Sequence, residues 1–277
     1  MKIRSLHDLD LFVRAAELGV PLMLRSTRSL RLTREGERLL PAARLALDGL
    51  RDATDEIATG RQVIRDHLQI SLPSDLGRNH ILGWLDEFQV RWPEVSFRLQ
   101  FSDRLADVYR QPIDLAIRYG NPPDSGLVAL PLHTTNRRIL CAAPAYLAAH
   151  GTPASPAELA GHNCLRFRLG DELHDQWQFT RNNEEIRINV TGNRACDDGD
   201  AVRRWAIAGR GIAYKSGLDV AADLAAGRLR RLCPDWQGEL VPLALICADR
   251  RQLSPTVALL REHLRERCEA LTTLVAC

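Results

Sequence analysis

The sequence has no long apolar run. Every stretch falls well short of the ~18 uncharged residues that a conventional membrane-spanning helix needs. Seven cysteines, at 141, 164, 196, 233, 247, 268 and 277, are scattered, odd in number and without a CxxC pair. They argue against a secreted disulfide scaffold. His162 and Cys164 stand too close together to hold a metal alone, and no Cys/His cluster supplies further ligands, so buried inert thiols are the expectation. Catalytic signatures are missing too: no GxGxxG after a strand pattern, no GxxxxGK[ST], no HExxH and no GxSxG. Gly209–Arg210–Gly211 precedes a strand pattern and reads as a turn. The formal net charge of +2 excludes a polycation. No apolar run follows Met1–Arg4; SLHDLDLFVRAAELG reads as a short amphipathic helix rather than a signal peptide, which predicts a cytoplasmic location. No metal or cofactor is expected.

What is present is enough apolar material, 45% of 277 residues, to bury a core divided between two or three units. One stretch organises the rest: TREGERLLPAARLALDGLRDATDEIATGR, residues 33–61. Leu39, Ala43, Leu47, Leu50, Ala53 and Ile57 recur at helical spacing, with Arg44, Arg51, Asp52, Asp55 and Glu56 mostly off that stripe. Thr33 is the candidate N-cap and Gly60 the stop, although Gly36 sits where a capping box has Glu. Pro41 predicts a kink or a late start. A narrow apolar seam of this length suits a connecting and pairing helix; an ordinary amphipathic helix on a globular core has the same pattern.

Before it, residues 6–18 place Leu6, Leu9, Phe12, Val13 and Ala16 on one helical side. Gly19–Leu24 is too short for another helix, and RSTRSLRLTREGER then carries Arg25, Arg28, Arg31, Arg34 and Arg38. SLRLT alternates like a small strand. Arginines and hydroxyls on such a hairpin suit a phosphate backbone, and equally make a solvated basic patch. After Arg61, His67–Leu72, a helix near His80–Arg91, Val95–Phe101, a helix at Leu105–Arg110 and Ile113–Arg118 alternate as strand and helix, predicting a mostly parallel sheet. A second unit begins near Arg137 with strands at Arg138–Ala142, Leu165–Arg168, Trp177–Phe179, Ile186–Thr191 and Gly211–Tyr214. Helices are expected at Tyr146–His150, Asp200–Ala208 and Leu218–Ala226. Pro242–Ala248 returns as a strand to the first unit and Pro255–Glu269 closes as a helix, so two crossings leave a cleft between two sheets.

The sequence resembles the LysR-type bacterial transcriptional regulators in LFVRAAELG (11–19) and RSTRSLRLTREGE (25–37). It continues in DLAIRYG (114–120), ILCAAPAYLAAHGTPASPAELAGHNCLRFR (139–168), CDDGDAVRRWAIAGRGIA (196–213), DLAAGRLRRLCPDW (223–236) and LSP (253–255). The resemblance implies an α/β protein: a winged helix-turn-helix, a linker and dimerisation helix, and a two-subdomain periplasmic-binding-protein-like effector domain. On that pattern residues 1–34 are the winged helix-turn-helix, 35–65 the linker helix and 66–268 the effector domain. Subdomain I takes 66–136 and 241–268, subdomain II 137–240. Between the family's first helix and its wing, only Gly19–Leu24 remains where the second and recognition helices belong, so the winged helix is a truncated remnant. Six residues rise only ~9 Å even if helical, too little for a major-groove reader.

The resemblance further implies an effector site at Ser74, Arg78, Ser102, Arg118, Ala142 and Asp197, within segments 73–78, 102–103, 118–119, 142–144 and 196–199. Ser74 and Ser102 fall at carboxyl ends of parallel strands, where ligands bind, and free amides of a following helix suit an anion such as an organic acid. Either serine reads equally as an N-cap, and Asp197, Asp198 and Asp200 read first as helix caps. Trp205 and Trp236 read as core or interface residues. Arg25, Thr27, Arg28 and Arg31 would contact double-stranded DNA from the wing, and Leu39, Leu47, Leu50 and Ile57 would pair copies into a homodimer or homotetramer. The expectation is a regulator sensing a small molecule, away from the membrane, with specific DNA recognition impaired. The alternative is a DNA-independent protein that binds a small molecule and dimerises. A periplasmic solute-binding protein is disfavoured by the linker helix and the lack of a signal peptide, and an enzyme by the missing motifs.

Overall fold

The computed structural model describes residues 21–25, 30–40, 43, 47, 64–103, 113–120, 127–169, 172–249 and 253–276. The helices expected at 6–18 and 105–110, together with Thr27, Arg28, Pro41, Leu50 and Ile57, lie outside them, as do the side chains of Arg25 and Arg31. The chain divides into two units, residues 1–63 and 64–277.

In the first unit, Met23–Arg25 and Leu30–Leu32 form an antiparallel hairpin. Thr33 then starts a helix through residues 34–40, and Ala43 and Leu47 are also helical. The Thr33 hydroxyl donates to the Pro21 carbonyl at 2.7 Å and accepts the Gly36 amide at 3.0 Å, so the expected N-cap is made. The glycine in the capping-box position has a steric reason. A Cβ on Gly36 would stand 2.0 Å from the Leu22 carbonyl oxygen, so only glycine lets the helix start lie against the hairpin.

The second unit holds two main sheets. The first runs Val95–Phe101, Asp66–Leu72, Leu115–Tyr119, Leu243–Cys247, Val128–His133 in spatial order. Its first three strands are parallel, whereas Leu243–Cys247 is antiparallel to both neighbours. The three strands read from the sequence as a mostly parallel sheet are parallel, and four of the five run the same way, the returning strand alone being reversed. Val128–His133 escaped the sequence reading, since Pro131 weakens a strand pattern. The strand lies at the sheet edge, where a proline is tolerated. One core cluster joins Leu68, Ile70 and Leu72 to Leu85 and Phe88 of the helix Leu82–Arg91, and to Leu260 and Leu264 of the helix Pro255–Ala276.

The second sheet runs Arg194–Cys196, Cys164–Leu169, Ile212–Ser216, Arg138–Ala142, Arg230–Arg231. A three-stranded sheet beside it contains the hairpin Gln176–Arg181 and Glu184–Asn189. Its two-residue turn, Asn182–Asn183, has φ of 48° and 66°, the left-handed pair that asparagine tolerates best after glycine. Trp177 and Phe179 from this hairpin pack on Tyr214, with ring centroids 5.2 and 5.0 Å away. Trp236 is buried in the same core, as expected.

The chain crosses between the sheets twice, side by side. The Asn136 amide group donates to the Val241 carbonyl at 2.8 Å and the Ser216 hydroxyl at 3.0 Å, and the Val241 amide returns a bond to the Asn136 carbonyl. Leu218 and Ala221, on the helix Gly217–Ala225 that follows the second sheet's central strand, belong to the first sheet's core cluster. Among the described residues no helix is long and apolar enough to cross a membrane.

Candidate functional site

The two sheets meet where the helices after Asp66–Leu72 and Arg194–Cys196 point their N-termini at one another. The first begins at Ser74, takes one π-helical turn over Gly77–Ile81 and continues through Leu82–Arg91. A Cβ on Gly77 would stand 2.9 Å from Leu72 Cβ and 3.0 Å from the Phe101 ring, so glycine lets this helix turn tightly over its strands. The second helix is Gly199–Ile207. The Gly199 amide donates to Ser74 Oγ at 2.7 Å and to Asp103 Oδ2 at 3.2 Å. Asp103 also accepts the Ser74 amide at 2.9 Å and the Ser74 hydroxyl. A Cβ on Gly199 would meet Lys215 Nζ at 3.0 Å and Ser74 Oγ at 3.3 Å, so glycine permits this approach.

Beside this contact lies a buried ion cluster. Lys215 Nζ touches Asp75 Oδ2 at 2.7 Å and Asp219 Oδ2 at 3.0 Å, and donates to the Gly199 carbonyl at 2.9 Å. Asp75 comes from the first sheet's side and Lys215 and Asp219 from the second's, so the ammonium bridges the two. Burial pushes the Asp75 carboxyl up, to about 7, against the pull of Lys215. Burial opposes the Lys215 charge, but Asp219 and Asp75 together hold the ammonium above its usual range. Two carboxylates against one ammonium thus keep the lysine charged. The Tyr119 hydroxyl donates to Asp219 Oδ1 at 2.7 Å. Asn79 donates to both Asp75 Oδ1 and Asp200 Oδ1 at 2.9 Å, and Asp223, fully buried, takes Arg203 at 2.5 Å and Arg228 at 2.6 Å. On the rim, Arg78 pairs with Asp198 at 2.8 Å and lies over the Phe101 ring at 5.2 Å.

Of the residues picked from the sequence, Ser74 and Arg78 sit in this junction. Asp198 caps the Gly199–Ile207 helix by accepting the Ala201 amide at 3.0 Å. Ser74 does not act as an N-cap: Pro73 holds that position, and the Ser74 hydroxyl reaches Asp103. Ser102 donates its amide to the Leu72 carbonyl at 2.9 Å. Arg118 lies elsewhere; it is buried, and its guanidinium donates to the Ser71 hydroxyl at 2.6 Å and to the Ser71 and Ile117 carbonyls. Ala142 is buried in a strand paired with Arg230, and Asp197 has a 3.9 Å contact with Cys196 Sγ. The sequence reading included Asp75 only within the segment 73–78 and missed Asn79, Tyr119's partner Asp219, Arg203 and Lys215. Their only local signal is Lys215 and Asp219 four residues apart at a strand-to-helix turn. Burial raises the Cys141, Cys164 and Cys268 thiols to about 12, which makes them inert. A separate cavity of about 190 Å³, lined among others by His133, Asn136, Arg137, Arg138 and Arg231, lies at the crossing strands and shares none of the junction residues.

Comparison with known proteins agrees with this architecture. The family described as LysR substrate binding domain matches residues 61–269. The HTH-type transcriptional regulator DmlR of Escherichia coli K12 is 33% identical over 219 residues, 79% of this chain and 71% of that protein. The probable HTH-type transcriptional regulator LtrA of Klebsiella pneumoniae is 33% identical over 226 residues, 80% of this chain and 71% of that protein. Among solved structures, CrgA of Neisseria meningitidis, a LysR-type transcriptional regulator, superposes with a TM-score of 0.63 at 26% identity, covering 96% of this chain and 89% of that one. These matches, together with the two-sheet fold and its polar junction, assign the chain to the LysR family of transcriptional regulators, a non-catalytic class built around an effector-binding domain.

Proposed function

We propose that the junction between the two subdomains is the effector site, and that a small anionic molecule, such as an organic acid, bound there changes how they meet. The observation that carries this reading is the pair of opposed helix starts at Ser74 and Gly199, whose amides and the Ser74 hydroxyl converge on the Asp103 carboxylate, with Arg78 beside them on Asp198. Backbone amides at a helix start, a hydroxyl and a guanidinium are the groups that recognise a carboxylate. Subdomains of this kind also meet through contacts that a ligand can exchange for its own. A thermal-shift screen of the full chain against small organic acids should give a hit. That hit should weaken in Arg78→Gln, and the reading fails if no acid raises the melting temperature.

We further propose that sequence-specific DNA recognition is impaired. The support lies in the sequence: only Gly19–Leu24 separates the first family motif from the wing, and the hairpin strand already begins at Met23. Wing arginines alone supply phosphate contacts, which position a protein without reading bases. Titration against the protein's own upstream region and a scrambled duplex, at ~0.15 M salt, should give affinities within tenfold of each other and steeply salt-dependent. A preference above tenfold for the upstream region would restore the ordinary regulator reading.

A further inference from the structure

Asp103 follows the edge strand Val95–Phe101 of the first sheet, yet its carboxylate reaches a polar seat built from both subdomains. It accepts the Ser74 amide at 2.9 Å, the Ser74 hydroxyl, and the Gly199 amide from across the junction at 3.2 Å. The Ser74 hydroxyl can donate only once and gives that proton to Asp103, while its lone pair takes the Gly199 amide. These three donors therefore converge on one carboxylate or on the hydroxyl beneath it. Gly199 keeps the seat tight, since any side chain there would press on Ser74 and Lys215.

The surrounding charge restricts what else can enter. Among the described residues, six carboxylates stand around the seat and along the adjoining network: Asp75, Asp103, Asp198, Asp200, Asp219 and Asp223. The five cations among them are Arg78, Arg203, Arg204, Lys215 and Arg228. A second carboxylate entering beside Asp103 would set like charge against like in a poorly solvated space. A carboxylate entering in its place leaves the balance as it was. Asp103 lies on the chain just past the end of the strand Val95–Phe101.

We propose that Asp103 is a built-in stand-in for the ligand: its carboxylate occupies the seat of an effector carboxylate and holds the subdomains together until a ligand displaces it. This rests on the reading of the junction as the effector site, and it adds exchange at a named position. The seat takes one carboxylate group at a time, so ligand and Asp103 exclude each other there.

Rescue by added carboxylate tests the idea in the full-length chain, with sodium formate and acetate as probes and sodium chloride as control at matched ionic strength of ~0.1 M. Asp103→Ala leaves the buried Ser74 amide without its acceptor, and the melting temperature should fall by about 2–6 °C. Formate or acetate should restore at least half of that loss where chloride does not, and the rescue should vanish in Asp103→Ala/Ser74→Ala. Wild-type protein should need more than tenfold higher probe concentration for the same shift. An Asp103→Ala melting temperature equal to wild type overturns the proposal, as does equal rescue by chloride or rescue that persists without the Ser74 hydroxyl. If an organic acid protects wild-type protein and binds Asp103→Asn with unchanged affinity, the stand-in role is wrong while the effector site survives. Rescue of the alanine variant, with no acid protecting wild type at any concentration, supports the seat and removes the effector reading instead.

Discussion

Asp198 has two tasks that substitution can separate. Its carboxylate caps a helix through Ala201 and pairs with Arg78 at a partly exposed rim. Burial favours its neutral form, but the Ala201 amide and Arg78 outweigh it and bring the carboxyl below its ordinary value of 3.8. Asparagine keeps the cap acceptor and loses the charge, so Asp198→Asn should cost less than ~1 kcal/mol in urea unfolding at pH 7, and Asp198→Ala about 1 kcal/mol more. Because the folded-state pKa is depressed, the charge contribution is present above the unfolded value and lost as pH falls through the folded one. The gap between wild type and Asp198→Asn should therefore close in the acid limb below pH 3.8. Lys215 is a different case, since it is buried between two carboxylates. Lys215→Met should destabilise by ~3–5 kcal/mol, with part regained in Lys215→Met/Asp75→Asn, where one uncompensated charge is gone. Equal stability of the single and double variants would show that Asp75 is not the partner that matters.

At the scale of elements, the N-cap at Thr33, the turn at Gly209–Arg210–Gly211 and the return of Leu243–Cys247 to the first sheet were readable, because each is written in neighbouring residues. The junction was readable only in part. Ser74 and Arg78 follow from the end of a strand, but the Ser74–Gly199 contact links residues 125 positions apart, and no periodicity records such a pairing. Gly36 shows the same limit in miniature: in sequence it is a faulty capping box, and in space it is clearance for a carbonyl. Gly36→Ala forces the hairpin and helix of the first unit apart and should cost ~1–3 kcal/mol there. Limited proteolysis should show faster cleavage before residue 64 with the 64–277 fragment unchanged. Uniform loss of both regions would mean that the two units do not respond separately.

For the whole molecule, the pairing surface expected from the sequence is the stripe Leu39, Leu47, Leu50 and Ile57, of which Leu39 is 37% exposed. An apolar stripe of that length on a helix would be covered in water by another copy. Light scattering at micromolar concentration should give a dimer or tetramer, and Leu47→Glu/Leu50→Glu should shift the mass toward the monomer. An unchanged mass would move the pairing surface elsewhere.

The two adjacent crossings also set an order of events during synthesis. The second sheet, residues 138–231 with its neighbouring hairpin, is contiguous along the chain, whereas the first draws Leu243–Cys247 and the helix Pro255–Ala276 from far downstream. A chain leaving the ribosome at ~5–20 residues per second can therefore complete the later subdomain first. Asp66–Leu72, though made earlier, waits with one face uncovered until Leu260 and Leu264 emerge. That nascent interval, rather than the finished protein, is when this fold leaves most of its first core open to water.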